Sequence, residues 1–130
     1  MYCGDEVNAI VGDIGTSISK FGFSGEDTPK LLFGGQVGRV AGDAAFAITD
    51  NELSHRRAGL AVTHAVSDGL WADWDAVEAM WGRAFSMLHA GRDSGSHVEH
   101  AVVAAEAAWA GATQREKFVQ LMFEKFEVPA

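Results

Sequence analysis

The chain has 130 residues, of which 48% are hydrophobic, so it is long enough for one domain with a moderate core. A formal net charge of −8 argues against broad electrostatic attraction to nucleic acid or to an anionic membrane. The single Cys3 excludes an internal disulfide, and the N-terminus lacks the basic and apolar segments of a secretory signal. We therefore expect a soluble, intracellular protein.

The first predicted feature is a β-hairpin. Apolar runs at Val7–Val11 and Ile18–Phe23 are typical of two paired strands, and Asp13–Ser17 predicts the turn between them. A polar turn follows, and Leu31–Phe33 predicts a third short strand. Residues 7–33 are therefore expected to form a three-stranded antiparallel meander.

The hairpin turn is also a candidate anion site. Gly15 permits a positive φ and leaves room for a ligand, and successive backbone N–H groups in such a turn can hold phosphate. Asp13 would repel phosphate unless a cation such as Mg²⁺ lay between them, and Lys20 would add a positive charge. Taken alone, a segment of this kind is more often only a turn.

The middle of the chain carries weaker signals. Gly34–Gly38 predicts a loop, because no helix start follows that would complete a phosphate-binding loop. Short strands are expected at Ala45–Ile48 and Ala61–Ala65, and the pair Arg56 and Arg57 is interpreted as a solvated surface feature.

A clear amphipathic helix follows. Asp73 is a suitable N-cap, and Gly91 a suitable C-terminal stop. Trp71, Trp74 and Trp81 are better explained as core residues than as ligand-stacking groups. The apolar stripe recurs at three- and four-residue spacing and comprises Val77, Met80, Trp81, Ala84, Phe85 and Leu88.

The apolar run Ala101–Ala105 predicts a central strand. His97, Glu99 and His100 precede it, but they are too few to indicate a metal site. Glu106 follows the strand, where it either faces a ligand or merely begins a loop.

The last helix is predicted to start with a capping box, Thr113–Glu116, and to end at Pro129. Its expected buried stripe is Phe118, Leu121, Met122 and Phe126. Strands followed by alternating helix, strand and helix indicate an α/β or α+β class.

The order of these features resembles the N-terminal part of actin and the actin-related proteins. Asp13–Lys30 is similar to the family's first phosphate loop and hairpin, and Gly69–Asp75 to the approach to its first helix. Arg115–Lys117, followed by Leu121–Phe126 and Val128–Ala130, is the most specific match.

Two segments are similar to the nuclear branch of the family: Gly4–Val7 and Phe46–Leu53. Gly42–Ala45 can instead be interpreted as a remnant of the Gly-Asp-Glu-Ala segment of conventional actin. The resemblance implies an α/β fold, the ribonuclease-H-like actin ATPase fold, present in part as a mixed sheet with flanking helices. It would form one partial domain over residues 1–130. Its first subdomain would comprise 1–33 and 66–130, and its reduced second subdomain 34–65.

The resemblance further implies ATP and Mg²⁺ as cofactors of the intact protein. Asp13 would contact Mg²⁺ through water, while Gly15, Thr16 and Ser17 would contact the β- and γ-phosphates. Lys20 would also meet the phosphates. Ser17 replaces the glycine common in actin and would crowd the γ-phosphate, which argues against hydrolysis more than against binding.

The implied function is that of a non-catalytic assembly subunit in nuclear chromatin-remodelling or histone-acetyltransferase complexes. The chain corresponds to about the first third of the family and lacks the second phosphate loop, so we expect weak or absent ATP binding and no ATPase activity. The implied partners are actin, subunits of the remodeller or acetyltransferase and, as a further candidate, histones. We expect neither specific nucleic-acid binding nor membrane binding.

The truncation itself predicts self-association, because part of the first subdomain would lack its apolar cover. The alternative function is one lobe of a cytoskeletal actin-like ATPase in the cytoplasm.

Overall fold

The computed structural model describes residues 8–88 and 98–130. Predictions for Cys3, Gly4–Val7, Gly91 and His97 lie outside the described residues. The strands are β1 (Ile10–Ile14), β2 (Ile18–Phe23), β3 (Leu31–Gly34), β4 (Gln36–Val40), β5 (Phe46–Ala47), β6 (Leu60–His64), β7 (Val66–Ser67), β8 (Leu70–Trp71) and β9 (Val102–Ala104). The helices are α1 (Asp50–Leu53), α2 (Trp74–Met87) and α3 (Ala112–Gln120), and α3 continues into a π-helical turn, Leu121–Lys125.

The largest sheet has the strand order β3-β2-β1-β9. β1 pairs antiparallel with β2 and parallel with β9, which confirms a mixed α/β sheet and the predicted meander. β1 extends to Ile14, so the turn is shorter than predicted and contains only Gly15, Thr16 and Ser17. The prediction of a central strand at Ala101–Ala105 was wrong, because β9 lies at the edge of the described sheet.

Helix α2 closes one face of this sheet. The side chain of Asp73 accepts a hydrogen bond from Ala76 N at 3.2 Å, which confirms the predicted N-cap. Trp81 is only 1% exposed and packs edge-on against Phe21, with ring centroids 5.0 Å apart. A Cβ atom on Gly12 would overlap the Trp81 ring, so the absence of a side chain there lets the indole reach the sheet.

The predicted tryptophan core is confirmed for the first sheet. Trp71 and Trp81 are buried, and Trp74 packs partly buried against the same cluster. The whole predicted stripe of α2 is buried as well: Val77, Met80, Trp81, Ala84, Phe85 and Leu88.

A second, three-stranded sheet has the order β5-β4-β6. β5 and β6 confirm the two short strands expected in this part of the chain. The loop predicted at Gly34–Gly38 was wrong, because β4 begins at Gln36 and pairs along the length of β6. A Cβ atom on Gly38 would lie 2.8 Å from Leu60 and 2.9 Å from Leu53, so this glycine reflects close packing and not chain flexibility.

Helix α1 was not predicted and carries a charged connection between the two sheets. The N–H groups of Ile48 and Thr49 each donate to Glu52 Oε2 at 2.9 Å, and the Thr49 hydroxyl completes a capping box. Arg83 of α2 donates to Glu52 Oε1 at 3.1 Å. Burial alone would raise the pKa of Glu52, but the bonds from these N–H groups and from Arg83 outweigh it and lower the pKa to about 2.

The C-terminal helix differs from the prediction at both ends. It begins at Ala112 with Gly111 as N-cap, so Thr113 lies inside the helix and the predicted capping box does not form. The helical turns end at Lys125 with Phe126 as C-cap, before Pro129, and Glu127 then has a positive φ of 51° that cannot continue a helix. Its predicted apolar stripe is confirmed, with Met122 and Phe126 buried and Phe118 and Leu121 packed against the core.

The exposed apolar side chains of the described residues include Trp109 and one face of the first sheet. Trp109 is 68% exposed; its Nε1 donates to Asp68 O at 3.2 Å and its ring lies over Gly69 at the β7–β8 turn. The face of the first sheet away from α2 presents Val11, Ile18, Leu32 and Val103 to solvent. Within the described part of the chain, no helix is both long and apolar enough to cross a membrane.

Candidate functional site

The β1–β2 hairpin places two of the predicted site residues next to each other. Asp13 on β1 is the cross-strand partner of Lys20 on β2, and both lie on the sheet face away from α2. Asp13 is half-buried, whereas Lys20 is exposed. Because cross-strand partners have neighbouring Cβ atoms, one acidic and one basic side chain start from adjacent positions at the end of the hairpin.

The turn itself presents unused backbone donors. No hydrogen bond among the described residues uses the N–H groups of Gly15, Thr16 or Ser17. Gly15 does not have the positive φ that was predicted, and its role is steric. A Cβ atom there would lie 2.7 Å from Ile18 O, so only glycine fits this tight turn. The turn can therefore offer N–H groups to an anion.

Gly35 supports the turn from behind. Its N–H donates to Ser17 O at 2.7 Å, and a Cβ atom on Gly35 would overlap Thr16 O. This contact fixes the peptide groups of the turn against the start of the second sheet. The glycine-rich segment therefore has a structural role in the candidate site that its sequence did not indicate.

Four of the five predicted site residues border two different openings, and Gly15 lines neither. Asp13 and Lys20 line an open pocket of about 400 Å³ bounded by residues 21–29. Thr16 and Ser17 line a second open pocket of about 460 Å³. The structure thus brings Asp13 together with Lys20, and Thr16 together with Ser17, with the tight turn between the two pairs.

Sequence reasoning missed the far wall of the second pocket. This wall is formed by Gln36 of β4, His64 of β6, and Asp50, Leu53 and Ser54 in and after α1. These residues are up to 48 positions away from Thr16 in the chain. No local motif marked them, because the fold brings them to the turn from distant positions; the pairing of β4 with β6, for example, places His64 opposite Gln36.

The remaining polar candidates do not join the hairpin. Glu106 forms an ion pair with Arg115 Nε at 2.7 Å, so its position after β9 stabilises the approach to α3. Among residues 8–88 and 98–130, no three His, Cys, Asp or Glu side chains are grouped so that they could hold a metal ion. The hairpin therefore offers one carboxylate, which suits a hydrated Mg²⁺ shared with phosphates better than a metal held by protein ligands alone.

Comparisons with known proteins identify relatives of this chain. A family model described as actin matches residues 4–130. The chain is 35% identical to actin-related protein 4 of Arabidopsis thaliana over 160 aligned positions, which cover all of the chain and 35% of that protein. It is 35% identical to actin-related protein 4 of Oryza sativa subsp. japonica over 162 positions, covering all of the chain and 36% of the relative. It is 31% identical to the protein of the same name from Yarrowia lipolytica, covering all of the chain and 32% of the relative.

The chain therefore spans about a third of the length of the curated relatives it matches. The alignments with the plant proteins extend over more positions than the chain has residues, so these relatives carry residues that the chain lacks.

Proposed function

The chain belongs to the actin family, and on this premise we propose that it is the N-terminal lobe of a nuclear actin-related protein. In this proposal it serves as a non-catalytic assembly subunit of chromatin-remodelling or histone-acetyltransferase complexes. The observation that carries the proposal is the similarity to actin-related protein 4 over the whole chain at up to 35% identity. The resemblance of Phe46–Leu53 to the nuclear branch supports the same assignment.

The proposed nucleotide site is the first phosphate loop of the family. The free N–H groups of Gly15, Thr16 and Ser17 would bind the phosphates of ATP, and Lys20 would add a positive charge. Asp13 would hold Mg²⁺ through a water molecule. When bound, Mg²⁺ would neutralise phosphate charge, and the residues named here would orient the phosphate chain.

The proposed role is non-catalytic because one phosphate loop supplies few of the groups that phosphoryl transfer requires. Phosphoryl transfer depends on several positioned groups that stabilise the developing charge. The hairpin offers one carboxylate, one ammonium group and one tight turn, and Ser17 introduces a side chain where actin commonly has glycine. We therefore expect this chain to bind Mg-ATP weakly or not at all.

The proposed domain division places residues 1–33 and 66–130 in the first subdomain and 34–65 in a reduced second subdomain. The separate sheet β5-β4-β6 supports this boundary, since its strands lie between Gln36 and His64. The alignments with the plant relatives contain positions that this chain lacks, which supports the proposal that part of the chain is shortened relative to them.

The proposed location is the nucleus, and the proposed partners are actin, remodeller or acetyltransferase subunits, and histones. The net charge of −8 would favour basic partners such as histones over nucleic acid. The exposed apolar face around Val11 and Val103 supports a further proposal, that the chain self-associates.

Calorimetric titration of Mg-ATP into the chain tests the nucleotide site. Asp13→Ala removes the proposed magnesium contact, and Asp27→Ala is the matched control because Asp27 borders the same opening. We expect no measurable heat of binding for any of the three proteins. Binding that is lost in Asp13→Ala but kept in Asp27→Ala would support the proposed contact of Asp13 with Mg²⁺. It would contradict the expected weak or absent binding and the non-catalytic role, and it would favour the alternative, a lobe of a cytoskeletal ATPase.

Binding to purified monomeric actin and to core histones tests the assembly role. We expect sedimentation or interferometry to detect association with at least one of them at micromolar concentration. The absence of association with both would argue against the assembly role, whatever the result of the nucleotide titration.

A further inference from the structure

Trp109 is an exposed tryptophan that the fold nevertheless holds in one place. It lies in the loop between β9 and α3, and 68% of it is exposed, whereas Trp71 and Trp81 are buried. Its Nε1 donates to Asp68 O at 3.2 Å. A Cβ atom on Gly69 would lie 2.7 Å from Cζ2 of the indole, so the ring rests directly on the glycine. These two contacts fix an indole ring at the surface.

The β7–β8 hairpin has the geometry that this ring requires. Its two turn residues, Asp68 and Gly69, both have a positive φ, of 52° and 77°, as in a type I′ turn. The Asp68 carbonyl lies outside the ladder between β7 and β8, where it accepts the indole N–H. A side chain at position 69 would displace the ring. Because the indole is positioned before any partner arrives, binding to it costs less conformational entropy.

The open part of the indole has no stacking partner. Within residues 8–88 and 98–130, neither an aromatic ring nor a cation stacks on Trp109. An exposure of 68% leaves at least one face of the ring in contact with solvent. The neighbours of the tryptophan in the chain are all small: Ala107, Ala108, Ala110 and Gly111. Side chains of this size cannot fold over the ring, so a flat group of a ligand can reach it.

The charge beside the ring is negative and uncompensated. In the part of the chain that the structure describes, the Asp68 carboxylate has no hydrogen-bond or ion-pair partner. Arg115, at the start of the adjoining helix α3, is already paired with Glu106, with Nε and Oε1 2.7 Å apart. An indole face attracts a cation through its quadrupole, and a neighbouring carboxylate adds to this attraction. The surface therefore favours a positively charged group.

We propose that Trp109 and Asp68 form a recognition site for an arginine side chain of a basic protein segment. The planar guanidinium group would stack on the open face of the indole, and its N–H groups would donate to the Asp68 carboxylate. Arginine suits this site better than lysine, because its guanidinium group is flat and more weakly hydrated than an ammonium group. The inference deepens the proposed class of basic partners and rests on that part of the proposed function.

Charge complementarity argues for this occupant. The formal net charge of −8 and the uncompensated Asp68 would repel phosphate groups and acidic segments. A purely apolar partner would cover the indole but would leave the Asp68 carboxylate without a counter-charge. A basic segment with arginine satisfies the ring and the carboxylate together.

Nuclear magnetic resonance titration tests the site. The probe is a capped peptide of alternating glycine and arginine, and the control peptide carries citrulline, a neutral isostere, in place of arginine. The chain has four tryptophans, and the Nε1–H resonance of Trp109 is the one that disappears in Trp109→Leu. We expect the arginine peptide to shift this resonance saturably at about millimolar concentration. The resonances of the other three tryptophans, and the citrulline titration, should show no such shift.

Substitution of Asp68 tests the carboxylate without disturbing the turn. Asp68→Asn removes the charge, and asparagine tolerates the positive φ of this position. Asp27→Asn is the matched control, because it removes the same charge from an exposed position between β2 and β3. We expect Asp68→Asn to weaken binding of the arginine peptide about two- to five-fold and Asp27→Asn to leave it unchanged.

Three results would overturn the proposal. An equal shift with the citrulline peptide would mean that the ring takes up uncharged groups. Equal weakening by Asp68→Asn and Asp27→Asn would mean that net charge alone attracts the peptide. No shift of the Trp109 resonance throughout the millimolar range would mean that the indole only fastens the loop to the hairpin. Circular dichroism of Trp109→Leu and Asp68→Asn checks that each variant is folded.

The site and the assembly role can fail separately. If neither actin nor histones associate with the chain but the arginine peptide shifts the Trp109 resonance specifically, the assembly role alone is contradicted. If histones associate with the chain and Trp109→Leu leaves their affinity unchanged, the arginine site alone is contradicted.

Discussion

The two sheets of this chain are stabilised by different physical interactions. The first sheet is closed by α2 and buries large aromatic side chains, with Trp81 against Phe21 and Gly12. The second sheet buries Val37 and Ile48, but every residue of β6 after Leu60 is exposed. Its connection to α2 includes the charged Glu52–Arg83 contact. One region therefore depends on apolar packing, and the other depends in part on ionised groups.

The largest effect is expected in the first sheet. Trp81→Ala removes the central aromatic side chain and leaves a cavity, which should lower the free energy of unfolding by about 3–5 kcal/mol. Urea denaturation followed by circular dichroism measures this change. Trp109→Ala is the matched control at an exposed tryptophan, and a loss as large as that of Trp81→Ala would contradict the proposed division of the core.

An intermediate effect is expected where the two regions meet. In Gly35→Ala the new methyl group would overlap the Thr16 carbonyl, so the hairpin turn and β4 must move apart at a cost of about 1–3 kcal/mol. Gly111→Ala is the control, because its Cβ atom would meet nothing within 4 Å. Urea denaturation of both variants checks the prediction, and an equal loss in the two would contradict it.

A smaller, pH-dependent effect is expected in the second sheet. Glu52→Gln removes the charge that binds Arg83 and weakens the cap of α1, at a cost of about 1–2 kcal/mol at neutral pH. The folded-state pKa of Glu52 is lowered from 4.5 to about 2. The wild-type carboxylate therefore stabilises the fold above pH 4.5, and this stabilisation is lost as the pH falls toward 2.

The difference in unfolding free energy between wild type and Glu52→Gln should accordingly shrink between pH 4.5 and pH 2. Glu26→Gln is the matched control, because Glu26 forms an exposed ion pair with Lys30, with Oε2 and Nζ 3.5 Å apart. If the difference in unfolding free energy between wild type and Glu52→Gln stays constant across that pH range, the Glu52 carboxylate does not stabilise the contact between the second sheet and α2.

The contrast between the sheets also explains which elements the sequence could predict. β1–β3, α2 and the apolar stripe of the last helix bury continuous or periodic apolar residues, and these patterns are local. β4 was missed because Gly35 and Gly38 are required by contacts with Thr16, Leu53 and Leu60, which only the folded chain brings together. β9 was predicted as a central strand but lies at the edge of the described sheet, because an apolar run does not reveal whether a strand has neighbours on one side or on both.

Two segments with the same capping-box spacing had different outcomes. Thr49–Glu52 and Thr113–Glu116 both have the spacing of a capping box, yet only the first forms one. At the second, the helix begins earlier, at Ala112, and Glu106 pairs with Arg115 near its start. Local sequence could not separate these cases, because the helix start depends on the incoming chain.

The candidate site was predictable to the same extent. The sequence predicted the hairpin and both site residues, Asp13 and Lys20, but not their cross-strand pairing, because the predicted turn Asp13–Ser17 is two residues longer than the observed one. The support from Gly35 and the pocket wall at Asp50 and His64 required the second sheet, whose strands the sequence signalled only weakly.

The contrast between Trp81 and Trp109 also has a spectroscopic consequence. The indole of Trp81 is shielded by Phe21, Phe85 and Phe118, whereas Trp109 stands in water above the β7–β8 turn. A neutral collisional quencher such as acrylamide should therefore quench the fluorescence of Trp109, while the fluorescence of Trp81 persists. Intrinsic fluorescence thus distinguishes loosening of the surface turn from opening of the core without any added label.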